Sequence, residues 1–328
     1  MKAVTYHQYG GPEVLKIGEI EKPRLEPNKV LIQVRASSIN AADWRLMRAD
    51  PFLIRLMSGI LRPKKWNILG SDFAGVVSEV GSEVSDIEVG DEVYGDSFGD
   101  GRGSHAEFLC IQRHFLDAKP EQLNFEEAAS IPLVGITALQ GLRDLAKIST
   151  DQEVLIQGAG GGVGISAVQI AKSLGAKVTA VCGPKSVALV RKLGADRVLN
   201  YEESDYTSEE VLYDAIIGIN GYNTLSTYKR LLKPEGRFVL IGGKNRGFFE
   251  AMFLGSLVFL GSKKSIKTLS IDDARIQGDL VQLREMVESK TLVPIIDRSF
   301  PLAETPDAIR YAEKGHVLGK ITIRVSPD

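Results

Sequence analysis

The sequence predicts an α/β protein with two domains, a doubly wound parallel sheet and a smaller β-rich domain. Its 328 residues exceed the roughly 100–200 residues of an average domain. The first third of the chain alternates short apolar runs with Gly, Pro and Asp, whereas strand-like and helix-like patterns alternate from about residue 123. Short strands joined by helical crossovers form a parallel sheet that is covered on both faces.

The parallel sheet is expected in residues 123–289, and the β-rich domain in residues 1–122 and 290–328. After Pro294 the pattern returns to a strand, a short helix and a final strand, which we expect to rejoin the N-terminal strands. The strand candidates of the parallel sheet are Glu153–Gln157, Lys177–Val181, Arg197–Asn200, Tyr213–Ile219, Arg237–Ile241 and Leu257–Leu260. Gly175 and Gly194 follow helical patterns and are predicted to end them in the left-handed conformation.

In the β-rich part, short apolar runs predict strands and one segment interrupts them. Val30–Val34 and Gly75–Val80 have the pattern of strands. The apolar and basic segment Trp44–Trp66 is broken at Pro51 and Gly59. It predicts two short helical turns.

Composition and charge exclude several classes of protein. Hydrophobic residues make up 44% and charged residues 25% of the chain, which is typical of a folded globular protein. With 40 basic and 42 acidic residues the net charge is −2, so the chain lacks an electrostatic footprint for nucleic acid. Cys110 and Cys182 are too few for a disulfide framework or a four-cysteine zinc lobe.

We expect a cytoplasmic protein without a transmembrane segment. The first residues show no secretory signal pattern. The longest apolar stretch, Ala251–Gly261, has about 11 residues, whereas a membrane-spanning helix needs ~20. The low cysteine count also fits a reducing compartment.

The strongest motif is a glycine-rich loop between a strand and a helix, Val154–Gly164. Glycines there let the backbone turn sharply and approach a pyrophosphate, and the helix N-terminus offers free N–H groups. The motif predicts a dinucleotide site, in a register that begins at either Gly158 or Ala159. The predicted cofactor contacts in the loop are Gly158, Gly161, Gly162, Val163 and Gly164.

The dinucleotide is predicted to be NADPH rather than NADH. An NAD site usually carries Asp or Glu at the end of the second strand, about 20 residues after the glycine-rich loop. Here the strand runs into Ala180–Ser186, which contains no acid, and Lys185 suits a 2′-phosphate. The alternative is that Lys185 is an ordinary solvated lysine.

A series of short motifs runs along nearly the whole chain. They are Met1–Val4, Gly11–Leu15, Val30–Val34, Ser38–Asn40, Gly70–Val77, Gly90–Val93, Gly135–Ala138, the glycine-rich loop and Gly315–Lys320. On these motifs the chain resembles the medium-chain dehydrogenase/reductase superfamily, specifically its zinc-independent quinone oxidoreductase (zeta-crystallin-like) branch. The resemblance implies a discontinuous GroES-like, β-rich catalytic domain and a Rossmann domain that binds NADPH.

The superfamily also contains zinc alcohol dehydrogenases, and this sequence lacks their ligands. No cysteine stands near Asn40–Asp43, and Gly70-Ser71-Asp72 replaces the Gly-His-Glu of the zinc branch. We therefore expect no metal site. The resemblance then implies hydride transfer from NADPH to a quinone or an α,β-unsaturated carbonyl. The alternatives are an alcohol or carbonyl dehydrogenase of the same superfamily and a non-catalytic NADPH-binding sensor.

The resemblance places Asn40 and Asp43 at the catalytic position. Asn40 is expected to face the nicotinamide and to bond the substrate oxygen or a nicotinamide ribose, or else to cap a turn. Asp43 is either a catalytic group or the N-cap of the following helix.

Further cofactor contacts follow from the resemblance. Thr137 is expected beside the cofactor or as an ordinary early-helix residue. Tyr201 contacts the adenosine phosphate side or packs in the core. His316 belongs to a tail segment that folds back on the cofactor, or to a surface loop. The remaining predicted contacts are Ile241, Gly242, Val317 and Leu318.

Two apolar segments have open roles. Leu46–Lys65 is predicted to be either a lid over the substrate pocket or a helix that simply packs. Ser256–Gly261 is predicted to be the last Rossmann strand, whose edge pairs across a two-fold axis in the family, and this implies a homodimer. The competing interpretation of Phe248–Leu260 is contact with a membrane surface.

Overall fold

A computed structural model describes residues 1–64, 67–101, 103–208, 210–220, 223–243, 250–251, 254–255 and 257–326. The chain divides into two compact units. The first unit consists of Met1–Leu133, Asp273–Lys290 and Pro294–Asp328, and the second of Val134–Asp272 and Thr291–Val293. Within the described ranges, every helix is too short or too polar to cross a bilayer.

Fifteen strands lie in the described residues. They are β1 (Lys2–Thr5), β2 (Lys16–Glu19), β3 (Lys29–Ile39), β4 (Asp72–Val80), β5 (Glu92–Asp96), β6 (Phe108–Gln112), β7 (Leu116–Ala118), β8 (Glu153–Gln157), β9 (Lys177–Cys182), β10 (Arg197–Asn200), β11 (Tyr213–Gly218), β12 (Leu232–Leu240), β13 (Ser265–Thr268), β14 (Ile296–Pro301) and β15 (Lys320–Arg324).

The α-helices with defined bounds are α1 (Ala41–Arg48), α2 (Ile54–Ser58), α3 (Phe125–Ala129), α4 (Pro132–Leu139), α5 (Gly162–Ser173), α6 (Val187–Lys192), α7 (Leu225–Leu231), α8 (Ile276–Glu288) and α9 (Thr305–Glu313). The two short helical turns predicted between residues 44 and 66 are present as α1 and α2, although Lys65 and Trp66 lie outside the described residues.

The first unit is built on a sheet of order β14-β15-β3-β4-β5-β7, to which β6 adds by pairing with β3. The long strand β3 is its centre, and eight of its eleven residues are buried while Lys29, Gln33 and Arg35 are half-buried. Strand β15 pairs antiparallel with β3, with Ile321 opposite Ile39. The tail therefore rejoins the N-terminal strands, as the sequence predicts.

The second unit is a six-stranded parallel sheet of order β10-β9-β8-β11-β12-β13. The predicted doubly wound α/β fold is confirmed. Counted from β8, the order is 3-2-1-4-5-6, which is the order of dinucleotide-binding sheets. The topological switch point lies at β8, where the chain enters the glycine-rich loop. Gly175 and Gly194 have φ of 80° and 102°, so both helix ends are left-handed as predicted.

The prediction that Leu257–Leu260 forms the last strand is wrong. Residues 257–259 are helical, and the sixth strand is β13. Val258 and Phe259 pack against the core while Leu257 and Leu260 are exposed. Two adjacent inward residues between two outward ones follow helical and not strand geometry. Part of the apolar segment 248–260 lies outside the described residues, namely 248, 249, 252, 253 and 256.

Helix α8 belongs to the first unit, although the boundary predicted at residue 290 assigns it to the Rossmann domain. The Tyr94 hydroxyl donates to the carbonyl of Leu280 at 2.7 Å. Arg284 pairs with Asp117 at 2.9 Å. These long-range contacts hold the helix against β5 and β7, and local sequence patterning does not encode them.

Candidate functional site

The glycine-rich loop leaves the carboxyl end of β8 at the switch point. Gly158 has φ of 87°, a conformation that favours glycine. A Cβ there would lie 2.8 Å from the backbone nitrogen of Asn220, which follows β11. The chain therefore turns sharply and passes close to the neighbouring strand end.

Two further glycines of the loop have distinct geometric roles. Gly161 is the N-cap of α5, and a Cβ on it would meet nothing within 4 Å, so the space above it is open. A Cβ on Gly164 would lie 2.2 Å from the carbonyl oxygen of Gly158, so α5 packs directly on the loop. A tight turn, an open approach and a close helix contact are the three roles of a dinucleotide fingerprint. The register beginning at Gly158 fits this geometry.

The start of α5 can bind an anion. Gly162 and Val163 are the first residues of this helix of 12 residues, whose first N–H groups lack partners within the helix. The dipole adds a partial positive charge there. Gly160, which the sequence analysis did not single out, is equally constrained, because its Cβ would lie 2.2 Å from Ser186 Oγ.

Lys185 and Tyr201 lie at the same edge of the sheet. Lys185 is exposed in a short 3₁₀ turn after β9. Tyr201 follows β10 and is 49% exposed, so it does not pack in the core. A Cβ on Gly183 would lie 3.0 Å from Tyr201 Oη, which places the phenol ring over the turn that carries Lys185. The structure thus brings both side chains to the turn behind the glycine-rich loop.

Three other predicted contacts also belong to the second unit. Thr137 is buried in α4. The backbone nitrogens of Ile241 and Gly242 donate to the carbonyl of Gly218 at 2.8 and 3.3 Å, which holds both residues at the carboxyl end of β12. Ile241 also packs on the helical segment Gln140–Ala146 that follows α4, because a Cβ on Gly141 would lie 3.0 Å from its Cδ1.

In the first unit, Asn40 and Asp43 stand at the start of α1. Asn40 is the N-cap, and its backbone nitrogen donates to Asp43 Oδ2 at 2.7 Å. Asp43 Oδ1 accepts from the nitrogen of Gly70 at 3.1 Å. Asp43 is fully buried at the third position of the helix and is not its N-cap. Because backbone N–H groups contact both of its oxygens, its geometry is that of a positioning group.

The Asn40 side chain is held by a buried ion pair that the sequence analysis did not predict. Lys320 Nζ contacts Asp72 Oδ2 at 3.0 Å and Asn40 Oδ1 at 2.6 Å. Asn40 Nδ2 donates to the same carboxylate oxygen at 2.8 Å. Lysine only donates and a carboxylate only accepts, so these two partners fix which way the amide points.

The ion pair has its remaining hydrogen-bonding positions filled. Lys320 also donates to the carbonyl of Ile39 at 3.1 Å, which uses its third hydrogen. Asp72 accepts from Ser38 Oγ and, through its other oxygen, from the nitrogen of Leu133 at 2.6 Å. Such saturation is what makes a buried charge pair tolerable.

His105 lies in the same buried region. It is fully buried, and neither ring nitrogen has a hydrogen-bond partner among the described residues. Burial lowers its pKa, and the nearby negative charges of Asp43 and Asp72 only partly oppose this. In the folded protein the imidazole is therefore neutral at pH 7.

The donor set does not fit a zinc ion. Among the described residues, no three His, Cys, Asp or Glu side chains lie together as a metal site. Asp72, the carboxylate closest in sequence to the ligand position of the zinc branch, is already bonded to an ammonium group. A second cation beside Lys320 would be repelled.

His316, Val317 and Leu318 lie between α9 and β15 in the first unit. His316 is exposed with φ of 64°, and Val317 packs partly against the core. Their contact with a cofactor stays a prediction.

Sequence reasoning missed the roles of Lys320 and Ser38. The available signal for Lys320 was its position before the alternating residues Ile321, Thr322 and Ile323, on a strand that is buried along most of its length. A lysine at the start of a buried strand needs a counter-charge.

Comparisons with known proteins agree with this geometry. Residues 26–121 match the alcohol dehydrogenase GroES-like domain family, and residues 193–323 match the zinc-binding dehydrogenase family. The chloroplast envelope quinone oxidoreductase homolog of Arabidopsis thaliana is 31% identical, with 98% of each chain covered. The NADPH-dependent alkenal/one oxidoreductase of the same plant, a chloroplastic protein, is 29% identical over 100% of this chain and 80% of that one.

Comparison with solved structures also finds an oxidoreductase that is similar over nearly the whole chain. The quinone oxidoreductase from Coxiella burnetii superposes with a TM-score of 0.87 at 31% identity, and 99% of each chain is covered. The confirmed coarse assignment is an oxidoreductase with a nicotinamide cofactor and a small-molecule substrate.

Replacing Gly164 by alanine should destabilise the protein, because the new methyl group would lie 2.2 Å from a backbone oxygen. We expect a loss of about 3 kcal/mol and a fall in Tm of roughly 5–10 °C. The matched control is Gly278→Ala in α8, where a Cβ meets nothing within 4 Å. That variant should gain about 0.5–1 kcal/mol. Equal Tm values for both variants, measured by scanning calorimetry, would contradict the close packing of α5 on the loop.

His105 should make the protein less stable in mild acid. Its folded pKa is lowered by burial, so below its ordinary value of 6.5 the unfolded chain binds a proton that the folded chain does not. Stability contributed by the neutral ring is complete above that pH and falls as the pH drops, by up to ~1.4 kcal/mol per pH unit. The Tm of His105→Asn, measured from pH 8 to pH 5.5, should fall less steeply than that of the unaltered protein. Replacement of the exposed His7 serves as the control, and parallel slopes for His105→Asn and the unaltered protein would refute the assignment.

Proposed function

Because the chain belongs to the quinone oxidoreductase-like branch of the medium-chain dehydrogenase/reductase superfamily, we propose that it is an NADPH-dependent reductase of quinones or α,β-unsaturated carbonyls that works without zinc. The observation that carries this proposal is the saturated Asp72–Lys320 pair beside Asn40. The ion pair occupies the position at which a zinc enzyme needs free ligands. It holds the Asn40 side-chain amide in one orientation instead.

The second unit supplies the cofactor half of the proposal. The open backbone at Gly161 and the start of α5 suit the pyrophosphate, and the turn that carries Lys185 suits a 2′-phosphate. When bound, the reduced nicotinamide supplies a hydride. The preference for NADPH over NADH rests on Lys185 together with the lack of an acidic residue in Ala180–Ser186.

The first unit supplies the polar group for the substrate. A quinone or enone accepts hydride at carbon and develops negative charge on its conjugated oxygen. One amide hydrogen of Asn40 Nδ2 is bonded to Asp72, and the second is the donor that we assign to this oxygen. A donor fixed before the reaction stabilises such charge more than a mobile one, because it needs no reorganisation. Asp43 is assigned a positioning role for the turn that carries Asn40.

Activated carbonyl substrates suit this arrangement better than simple alcohols. Oxidation of an unactivated alcohol needs a Lewis acid or a strong base to remove the hydroxyl proton. The described residues around Asn40 include the Asp72 carboxylate, which is bonded to Lys320, the buried Asp43 carboxylate, which backbone N–H groups hold through both oxygens, and the fully buried His105. None of these three groups is disposed to take that proton.

The proposal is tested by following NADPH oxidation at 340 nm with quinones, a short alkenal and a long-chain enone, and NADP⁺ reduction with a simple alcohol. We expect turnover of the quinones or enones that a chelator leaves unchanged. Asn40→Ala should lower kcat/KM by about 10²–10³-fold while NADPH affinity changes little, since it removes one oxyanion donor.

Asn28→Ala is the control for this experiment, because Asn28 is an exposed asparagine in the turn before β3. Alcohol oxidation that a chelator abolishes would reject the zinc-free mechanism and favour the alcohol dehydrogenase alternative. Tight NADPH binding without turnover of any substrate would favour the sensor alternative.

Lys185→Ala should weaken NADPH binding selectively. Loss of one ammonium–phosphate contact is worth about tenfold in Kd, and NADH binding should stay unchanged because NADH lacks the 2′-phosphate. Calorimetric titration of both cofactors measures this difference. Lys192→Ala, an exposed lysine at the end of α6, is the control. Equal weakening for NADH and NADPH would show that Lys185 does not read the 2′-phosphate.

Two further properties stay predictions. One is a homodimer that pairs through the edge of the Rossmann sheet. The last strand of the described sheet is β13, which pairs with β12 and forms that edge. The cytoplasm stays the predicted location.

A further inference from the structure

An apolar patch lies on the surface of the first unit, on α2 and the turns beside it. Its side chains are large and strongly exposed, at 65% for Phe52, 50% for Leu53, 67% for Leu56, 63% for Ile60 and 90% for Leu61. Single exposed apolar residues are common on proteins, but five within ten residues concentrate apolar surface in one short segment, and such concentrations mark interaction sites.

The apolar patch stands on an anchored base. The hydroxyl of Tyr9 contacts Ser58 Oγ at 2.5 Å and donates to the carbonyl of Gly59 at 2.7 Å. The guanidinium of Arg55 lies over the ring of Tyr9 at 4.7 Å. Ser58 and Pro63 are buried. Because these residues hold the inner side of the segment, the apolar patch faces outward as a consequence of the fold.

The sequence around the apolar patch is strongly basic. Residues 51–65 contain four cations and no acidic residue. Arg62 and Lys64 are exposed, and neither forms an ion pair among the described residues. The patch therefore joins a hydrophobic surface to unneutralised positive charge.

We propose that the apolar patch docks on an anionic lipid bilayer, with Leu56, Ile60 and Leu61 entering the interface and Arg62 and Lys64 contacting the headgroups. Large apolar side chains flanked by cations are the composition of interfacial membrane segments. A second copy of this chain is a poorer occupant, since a two-fold contact would set the same cations against each other. This inference goes beyond the proposed function and does not depend on it.

Cosedimentation with vesicles tests the proposal. The full chain should bind vesicles of phosphatidylcholine with 30% phosphatidylserine, and bind pure phosphatidylcholine vesicles at least tenfold more weakly. Raising the salt to 0.5 M should release it, because the contribution of the cations is screened. Binding that is equal for both vesicles, or no binding to the anionic ones, would overturn the proposal.

Paired variants locate the surface. Leu56→Asp with Leu61→Asp should abolish vesicle binding, and Arg62→Gln with Lys64→Gln should weaken it by roughly 25-fold, at about fivefold for each cation. Ile17→Asp with Val89→Asp is the matched control, since both residues are exposed apolar side chains of the first unit outside the patch. It should bind as the unaltered protein does.

All variants alter exposed side chains and should keep the unaltered Tm and the same NADPH oxidation in solution. A second pair of variants, Leu257→Asp with Leu260→Asp, tests the other exposed apolar segment. If this pair loses vesicle binding while the patch variants keep it, the membrane contact lies around Leu257 and Leu260 and the proposal is overturned. A change of molar mass by light scattering in the patch variants, without a change in vesicle binding, would show that a second copy covers the patch and would also overturn it.

Discussion

The contact between the Asp72 carboxylate and the Lys320 ammonium is the constraint on which the first unit depends. It joins β4 to β15, and through Asn40 it reaches the end of β3 and the start of α1. Burying two charges costs several kcal/mol per ion unless good geometry and further hydrogen bonds compensate for it. Here the ammonium uses all three of its hydrogens and both carboxylate oxygens accept. Strand pairing and the orientation of one amide are therefore set by the same interaction.

The candidate region of each unit relies on different physics. Around Gly158, Gly161 and Gly164 the backbone itself forms the site, and its requirement is the absence of side chains. Around Asn40 the site consists of buried side chains that hold one another through charge and hydrogen bonds. Substitutions can therefore alter the side chains around Asn40 without disturbing the glycine-rich loop, and one fold can host several chemistries in this way.

The sequence predicts what is encoded locally and fails where encoding is distant or ambiguous. Strands β8 to β11 are short apolar runs bounded by turn residues, and the glycine-rich loop has a pattern of its own. Leu257–Leu260 fits a strand or a helix equally well, and only its packing around Phe259 decides between them. Asp72 and Lys320 are 248 residues apart, so no local pattern could have paired them. The same holds for the contact of α8 with β5 and β7.

The return of β15 to β3 has a consequence for synthesis on the ribosome. Lys320 follows Asn40 by 280 residues, so at about 5–20 residues per second the Asn40 amide waits on the order of tens of seconds for its partner. Residues 134–272 of the second unit are complete well before that. During the interval β3 lacks β15 and exposes an unpaired edge, the kind of surface that chaperones cover and that aggregation exploits. A nascent chain would thus have a complete parallel sheet before Asn40 is held by Lys320.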